Sequence, residues 1–191
     1  MNNAVSVIRV GLVGAECTGK TTLAVALARG FGVPWVPELL REFCEQQGRT
    51  PRRDEQRELM REQIRRESQA LAQARDEGAP FLICDSTPLV TALYSQELFE
   101  DRSLIVEARA HQAAYQTTLL TDIDLPWQSD GIQRDGETAR RLFDASLRAN
   151  LREYRIAHTV ISGDLQRRLA LARETLLALR PDAIAYNRAS R

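Results

Sequence analysis

The sequence is poor in lysine, histidine and cysteine, and these shortages exclude several classes of protein. Of its 26 lysine and arginine residues only Lys20 is a lysine, and 26 acidic residues balance them. A chain without net charge has no overall field that would draw it to nucleic acid or to an anionic membrane surface. Its three cysteines and two histidines lack the spacing of a metal site. An odd number of cysteines suits reduced thiols, so we expect a cytoplasmic protein.

Long apolar stretches are also absent. No run approaches the roughly 18 apolar residues that cross a bilayer, so we expect no membrane association. The segment 1–4 lacks the charged and apolar regions of a signal peptide. At 191 residues the chain suits one α/β domain, which we place over residues 1–191, and a homo-oligomer remains open.

The single lysine lies in a phosphate-binding pattern. Residues 14–22 match Gly-x-x-x-x-Gly-Lys-[Ser/Thr], the P-loop. Its glycines permit a tight turn whose N–H groups face phosphate oxygens, and the helix beginning there adds its positive dipole end. We therefore predict a bound nucleoside triphosphate with Mg²⁺, the latter on the Thr21 hydroxyl. The predicted nucleotide-binding residues are Gly14, Glu16, Cys17, Thr18, Gly19, Lys20, Thr21 and Thr22.

Five apolar segments predict β-strands, and helical patterns separate them. The strands are expected at about residues 6–13, 33–37, 80–85, 117–123 and 158–162. This alternation predicts a three-layer α/β fold, with a five-stranded parallel sheet covered by helices on both faces.

One predicted helix is unusually polar. Residues 52–77 contain seven arginines and seven acids, with a narrow apolar stripe at Met60, Ile64 and Leu71. We interpret this segment as a long solvated helix docked along one edge of the domain. A loop is expected over 124–136, followed by a helix over about 137–154.

Two acids follow predicted strands and are candidates for chemistry. Asp85 ends the third strand, where a carboxylate can reach Mg²⁺ beside a P-loop, although Asp85 or its neighbours Ser86 and Thr87 can instead cap the next helix. Glu38 follows the second strand and can accept a hydroxyl proton or hold a ribose diol, with Arg41 one turn on as an acceptor contact. The alternative for Glu38 and Arg41 is an exposed surface pair.

The loop over 124–136 carries an aromatic ring and leads into arginines. Trp127 either fills the core or stacks on a flat ring, and spacing does not decide between these. Arg134, with Arg140 or Arg141, can close over a transferring phosphoryl group. Residues 162–164 with Arg167 and Arg168 are weaker candidates for the border of an adenine site.

Four blocks together resemble the ribosylnicotinamide kinase domain of NadR-type proteins and the small stand-alone ATP-binding proteins related to it. The resemblance covers nearly the whole chain. The blocks are Gly14–Thr22, Glu38-x-x-Arg41-Glu42-Phe43, Asp85-x-Thr87, and Leu125-Pro126-Trp127-x-x-Asp130-Gly131 with Arg134 after it.

The resemblance implies a nucleotide-kinase-like fold and ATP-dependent phosphorylation of nicotinamide riboside in NAD salvage. It also implies that Trp127 stacks near the nicotinamide. Some members carry a second acid where this chain has Thr87. Longer members carry nucleotidyltransferase or helix-turn-helix domains, which we expect to be absent because the P-loop begins at residue 14.

Three hypotheses follow. In the first, a small-molecule kinase binds ATP and Mg²⁺ at Lys20, Thr21 and Asp85. Its catalytic residues are Lys20, Asp85, Glu38 and Arg134, and its acceptor contacts are Glu38, Arg41, Trp127 and Asp85, with Glu38 or Asp85 as base. In the second, the acceptor is another nucleoside, as in deoxynucleoside kinases. In the third, the chain is an ATP-binding regulatory module or slow ATPase, with residues 52–77 as its partner surface.

Overall fold

The computed structural model describes residues 6–127 and 136–183. Within them the strands are β1 (Ile8–Val13), β2 (Trp35–Val36), β3 (Phe81–Cys84), β4 (Thr117–Thr121) and β5 (Thr159–Ile161). The helices are α1 (Lys20–Phe31), α2 (Leu39–Gln47), α3 (Gln56–Asp76), α4 (Pro88–Phe99), α5 (Ile105–Gln112), α6 (Glu137–Glu153) and α7 (Leu165–Leu179).

All five strands run parallel in the order β2-β3-β1-β4-β5, which confirms the predicted sheet. In such a sheet the carboxyl ends of β1 and its neighbour β3 meet at one edge, where ligands bind in open α/β folds. The edge strand β2 is shorter than predicted. Pro34 and Pro37 bracket it, and a proline has no N–H to extend a ladder.

Apolar side chains pack on both faces of the sheet, as the three-layer prediction requires. On β4, Leu119 faces the layer of α1 and α7, whereas Leu120 faces the layer that contains α4 and α6. The first layer buries Leu23, Leu27, Phe31, Ala172 and Leu176, and the second buries Met60, Leu89, Leu93, Phe143 and Leu147. Consecutive residues of a strand point to opposite faces, so this alternation follows from the strand itself.

Helix α3 differs from the expected solvated helix. Met60 is fully buried and Ile64 and Leu71 are partly buried, as the apolar stripe predicts. However, Gln63 and Glu67 are also buried, at 5% and 0% exposure, on the face that packs inward. The solvated interpretation is therefore wrong for this face, because the polarity of α3 extends into the interior.

The outer charges of α3 find partners within the chain. Arg61 forms a two-point ion pair with Glu107, with nitrogen–oxygen distances of 2.9 and 3.1 Å. Arg66 reaches Glu42 on α2 at 2.6 Å and Glu62 at 3.1 Å. The contacts with Glu107 and Glu42 join α3 to α5 and α2.

No helix among the residues that the structure describes is both long and apolar enough to span a bilayer.

Candidate active site

The loop between β1 and α1 is held in a tight turn by two glycines. Gly19 has a left-handed backbone (φ 76°) and precedes the first residue of α1. A Cβ atom at Gly14 would lie 2.2 Å from Oγ1 of Thr121, at the end of β4, so no larger residue fits. The eight predicted nucleotide-binding residues all lie in this loop and the first turn of α1, where Thr22 is exposed.

Hydroxyl groups brace the P-loop against the sheet. Thr121 donates to Oγ1 of Thr18 at 2.7 Å, and Thr18 donates to the carbonyl of Ala15 at 2.7 Å. The same carbonyl accepts a 2.9 Å hydrogen bond from Nζ of Lys20. The Thr18 side chain is therefore part of the brace, and only its backbone is available to face a phosphate.

A buried arginine closes the other side of the loop. The Arg168 side chain on α7 is 2% exposed, and its Nη1 donates to the Thr18 carbonyl at 2.7 Å. Its Nε donates to the carbonyl of Gly163 at 2.6 Å, and its Nη2 contacts the Asp122 carbonyl and the Asp124 carboxylate. The rigid guanidinium fork thus joins the P-loop to the ends of β4 and β5.

Asp85 lies at the end of β3, directly beside the P-loop strand. Its side chain is fully buried, and neither carboxylate oxygen has a hydrogen-bond partner among the described residues. No side chain caps the start of α4, where Thr87 is the N-cap and Pro88 the first helical residue, so the capping alternative is not observed. Ser86, which follows Asp85, is left-handed at φ 66°, a conformation that costs a non-glycine residue about 1 kcal/mol or more.

The charges around Asp85 come from the residues that the sequence singled out. The pKa of Asp85 is raised from 3.8 to about 6, mainly by burial and secondly by the charge of Glu38. The Thr21 hydroxyl and the charges of Lys20 and Arg41 oppose this rise. The structure therefore brings Lys20, Thr21, Glu38, Arg41 and Asp85 into one electrostatic group.

Glu38 and Arg41 are half-buried at the start of α2. Glu38 is the N-cap of this helix, but its side chain makes no capping hydrogen bond. The Nε of Arg41 is buried and has no hydrogen-bond partner among the described residues. The half-burial of both residues excludes the alternative of an exposed surface pair, and both charges act on the pKa of Asp85.

Trp127 lies against the P-loop. It is half-buried and belongs to neither apolar cluster of the described core, and its Nε1 donates to Oε1 of Glu16 at 3.3 Å. In the same loop, Leu125 packs against the position of Gly19, and its carbonyl accepts a 2.9 Å hydrogen bond from Arg140. The aromatic loop is thus tied to the nucleotide-binding turn at two points.

The arginines proposed for phosphoryl closure behave differently from one another. Arg140 is buried and supports the Leu125 backbone, whereas Arg141 is exposed and pairs with Glu137 on its own helix. Arg134 lies outside the described residues. Asp164 follows β5 and caps α7, because its side chain accepts a 2.9 Å hydrogen bond from the Arg167 N–H. The segment after β5 therefore forms the N-terminus of α7.

The donor set at this edge of the sheet fits Mg²⁺. This ion prefers oxygen ligands, and it is commonly held by a carboxylate together with a hydroxyl and phosphate oxygens. Asp85 offers two buried oxygens without partners, and the Thr21 hydroxyl adjoins them. A buried carboxylate whose pKa is raised by desolvation is the group that a divalent cation would stabilise most.

Sequence reasoning missed two residues of this site. Thr121 ends β4 with a hydroxyl after two leucines, a change from apolar to polar that marks the end of a buried strand. The sequence indicates Arg168 only as a border of an adenine site. Its bracing role is not predicted, because its contact with Thr18 spans 150 positions. Local pattern does not show such a pairing.

The strand order and the loop at the end of β1 place the protein in the P-loop class of α/β nucleotide-binding proteins. Residues 9–168 match the sequence profile of the AAA_28 family, described as an AAA domain, and the chain belongs to this family. No curated protein matches the chain by sequence.

Solved structures with the same fold include NadR and a deoxyadenosine kinase. NadR in complex with NAD and AMP-PNP aligns with a TM-score of 0.67 and 21% identity, covering 88% of this chain and 49% of the NadR chain. NadR in complex with NR gives 0.71 and 19%, covering 88% and 50%. The deoxyadenosine kinase from M. mycoides with bound products gives 0.61 and 12%, covering 90% and 100%. The chain thus spans about half the length of the NadR chains.

The raised pKa of Asp85 predicts a pH-dependent stability. The folded protein holds the Asp85 proton more tightly than the unfolded chain, so stability falls as the pH rises from about 4 to about 6. Asp85→Asn removes this loss. Relative to the parent protein, the free energy of unfolding of Asp85→Asn should increase by about 2 kcal/mol between pH 4.5 and 8.

Urea unfolding at several pH values measures this difference. Asp182→Asn is the matched control: Arg180 holds the pKa of Asp182 below its ordinary value, so this carboxylate is ionised in both states and the difference should stay nearly constant across this pH range. A difference between Asp85→Asn and the parent that stays constant across this pH range would contradict the prediction.

The contacts of Arg168 predict a second effect. Arg168→Met leaves the carbonyls of Thr18 and Gly163 without their donor, which should lower the free energy of unfolding by roughly 1–3 kcal/mol. Because the P-loop loses its support, affinity for Mg·ATP should fall as well, as measured by calorimetry. Arg167→Met changes an exposed neighbour and should affect neither quantity. Equal behaviour of the two variants would disprove the bracing role.

Proposed function

We propose that this chain is an ATP-dependent kinase that phosphorylates a small nucleoside-like acceptor. The observation that carries the proposal is the position of Asp85. Asp85 is buried and follows β3, which lies in the sheet between β1, followed by the P-loop with Lys20 and Thr21, and β2, followed by Glu38 and Arg41. A protein that only binds nucleotide has no need for the second pair, whereas a kinase needs polar groups on both sides of the transferred phosphate.

The residues divide the chemistry between them. Lys20 would exchange its bond to the Ala15 carbonyl for phosphate oxygens, and the Thr21 and Asp85 oxygens would hold Mg²⁺. When bound, Mg²⁺ would neutralise charge on the phosphates. The acceptor hydroxyl attacks the γ-phosphorus, the bond from this phosphorus to ADP breaks, and the proton of the hydroxyl passes to the Glu38 carboxylate. Glu38 is the better base, because the Asp85 oxygens would be needed as metal ligands.

Nicotinamide riboside is the first candidate acceptor. The half-buried Trp127 ring is fixed beside the P-loop by Glu16, and a tryptophan face attracts a cationic ring such as a pyridinium. The structures of NadR with NR and with AMP-PNP support this choice, because proteins of the same fold hold such ligands. The fold alone does not fix the acceptor, so Trp127 is the residue on which this choice depends.

A different nucleoside is the second candidate. The deoxyadenosine kinase from M. mycoides is covered over 100% of its length, whereas the NadR chains are covered over about half. The same fold therefore occurs in a kinase whose acceptor is a deoxynucleoside. The proposal of a regulatory module receives less support, because Arg61 and Arg66 on α3 already pair with acids of the same chain.

An acceptor panel tests the proposal. Purified protein is incubated with Mg·ATP and nicotinamide riboside, deoxyadenosine, deoxycytidine or the ribonucleosides, and ADP release and the phosphorylated product are measured together. We expect nicotinamide riboside to increase ADP release many-fold and to appear as its mononucleotide. Stimulation by a deoxynucleoside alone would favour the second candidate, and hydrolysis unaffected by every acceptor would reject a kinase.

Two substitutions separate the nucleotide site from the acceptor site. Lys20→Ala should abolish turnover, because it removes the ammonium that would hold the phosphate oxygens during transfer. Trp127→Ala should raise the acceptor KM roughly 2- to 30-fold, corresponding to about 0.5–2 kcal/mol of cation–π attraction, and leave the ATP KM within about twofold.

Trp127→Phe is the control for the second substitution, because it keeps a flat ring and loses only the hydrogen bond to Glu16. Its acceptor KM should lie closer to the parent value than that of Trp127→Ala. If Trp127→Ala changes the two KM values equally, the stacking role is rejected.

A further inference from the structure

Helix α2 begins without a cap of its own. The first four N–H groups of an α-helix have no partner within the helix and need one from elsewhere. The N-cap, Glu38, supplies no side-chain hydrogen bond to them. The first of these groups, the N–H of Leu39, instead donates to Oε1 of Gln63 on α3 at 3.0 Å, in a buried setting.

The Gln63 amide is held in one orientation by its neighbour. Its Nε2 donates to Oε1 of Glu67 at 3.2 Å, one helical turn further along α3. The Leu39 N–H can only donate, so the amide oxygen must face Leu39, and the amide nitrogen then faces Glu67 and donates to it. Glu67 thereby holds the Gln63 amide in the orientation that presents its oxygen to α2.

Glu67 is fixed in turn by groups from α5 and the following segment. Tyr115 donates its hydroxyl to Oε2 of Glu67 at 2.6 Å, and Nε2 of His111 lies 3.0 Å from the same oxygen. An imidazole nitrogen cannot donate and accept at once, so we assign its proton to the shorter contact with Glu67. The buried side chain of Arg9 lies 3.4 Å from His111 and adds a positive charge next to this group.

We propose that Gln63 and Glu67 are positioning residues that cap α2 from α3 and so hold Glu38 and Arg41 toward the acceptor. The inference rests on the proposed kinase function and extends it to residues that touch neither substrate. A serine or aspartate at position 38 would cap α2 locally, but its side chain would then be bound to the helix. Capping by Gln63 leaves the Glu38 carboxylate available to the crevice.

The consequence for the site follows from the geometry of a helix start. Glu38 precedes Leu39 directly, and Arg41 follows it by two residues, so all three move with the first turn of α2. The first bond within the helix, from the Glu42 N–H to the Glu38 carbonyl, is 3.3 Å long. Without the hydrogen bond from Leu39 to Gln63, the N–H of Leu39 would lose its buried partner, and this turn would be left with the partly exposed ion pair between Glu42 and Arg66 as its polar tie to α3, so its start would fray.

Gln63→Met tests the proposal, because methionine is similar in length and removes only the polar amide. Hydrogen exchange at the Leu39 and Glu42 amides, measured by NMR in the ligand-free protein, should become about tenfold faster or more. The acceptor KM should rise about tenfold, while the ATP KM stays within about twofold. Gln73→Met is the matched control on the exposed face of α3 and should change none of these values.

An exchange of the two residues provides a rescue. Gln63→Glu combined with Glu67→Gln keeps an acceptor for the Leu39 N–H and a donor–acceptor pair between the two positions. We expect this double variant to restore slow exchange at Leu39 and most of the acceptor affinity, whereas Gln63→Glu alone places two carboxylates side by side and should not. A purely structural role would instead lower stability without separating the two KM values.

The outcomes distinguish this inference from the proposed function. Unchanged exchange at Leu39 in Gln63→Met, or an equal rise in both KM values, overturns the positioning role. No product from any acceptor in the parent protein overturns the proposed function instead. The exchange measurement requires no turnover, so the two failures are separable.

Discussion

A fully buried carboxylate without a hydrogen-bond partner among the described residues is the constraint on which the site depends. Burial raises the pKa of Asp85 to about 6, and the nearby Thr21 hydroxyl opposes this rise without making a hydrogen bond of ordinary geometry to either buried oxygen. Such a group is costly in a protein that only has to fold. It is explained if the folded protein is completed by a cation, with Lys20 and Thr21 placed to share the same ligand. The position of Asp85 at the end of β3, next to β1, follows from the strand order.

The elements around Asp85 are held by contacts that come from distant parts of the chain. Arg168 on α7 supports the P-loop, Thr121 at the end of β4 supports it from below, and Gln63 on α3 supports the start of α2. Arg168 and Gln63 pair backbone groups that local structure leaves unsatisfied, and Thr121 pairs the hydroxyl of Thr18. Because Gln63 supports the start of α2 from another helix, this start is held without a capping bond from the Glu38 side chain.

The difference between residues that face the ligand site and residues that support it from distant elements explains what could be predicted from the sequence. The P-loop was predictable because glycines, lysine and threonine do their work within nine consecutive positions. The strands were predictable because parallel strands are buried on both faces and appear as apolar runs. Asp85 and Glu38 could be placed at the crevice because they follow such runs. The polar interior of α3 could not be predicted, because Glu67 looks the same in sequence whether it meets water or Tyr115, which lies 48 positions away. The same limit applies to Arg168, whose buried role depends on long-range packing.

Lysine and arginine have different roles in this site, because one supplies a movable charge and the other a fixed set of hydrogen bonds. The guanidinium of Arg168 donates to four acceptors, so its position is fixed by several hydrogen bonds. These acceptors are the carbonyls of Thr18, Gly163 and Asp122 and the carboxylate of Asp124. Lys20 carries a compact ammonium on a flexible stem, and it can leave the Ala15 carbonyl by breaking a single 2.9 Å hydrogen bond. An arginine at position 20 would bring a planar group that needs several acceptors in one plane, and it would follow a moving phosphate less readily. In the proposed kinase, the single lysine of the chain thus lies where a charge would follow the transferred phosphate, whereas the buried Arg168 lies where the backbone is held in place.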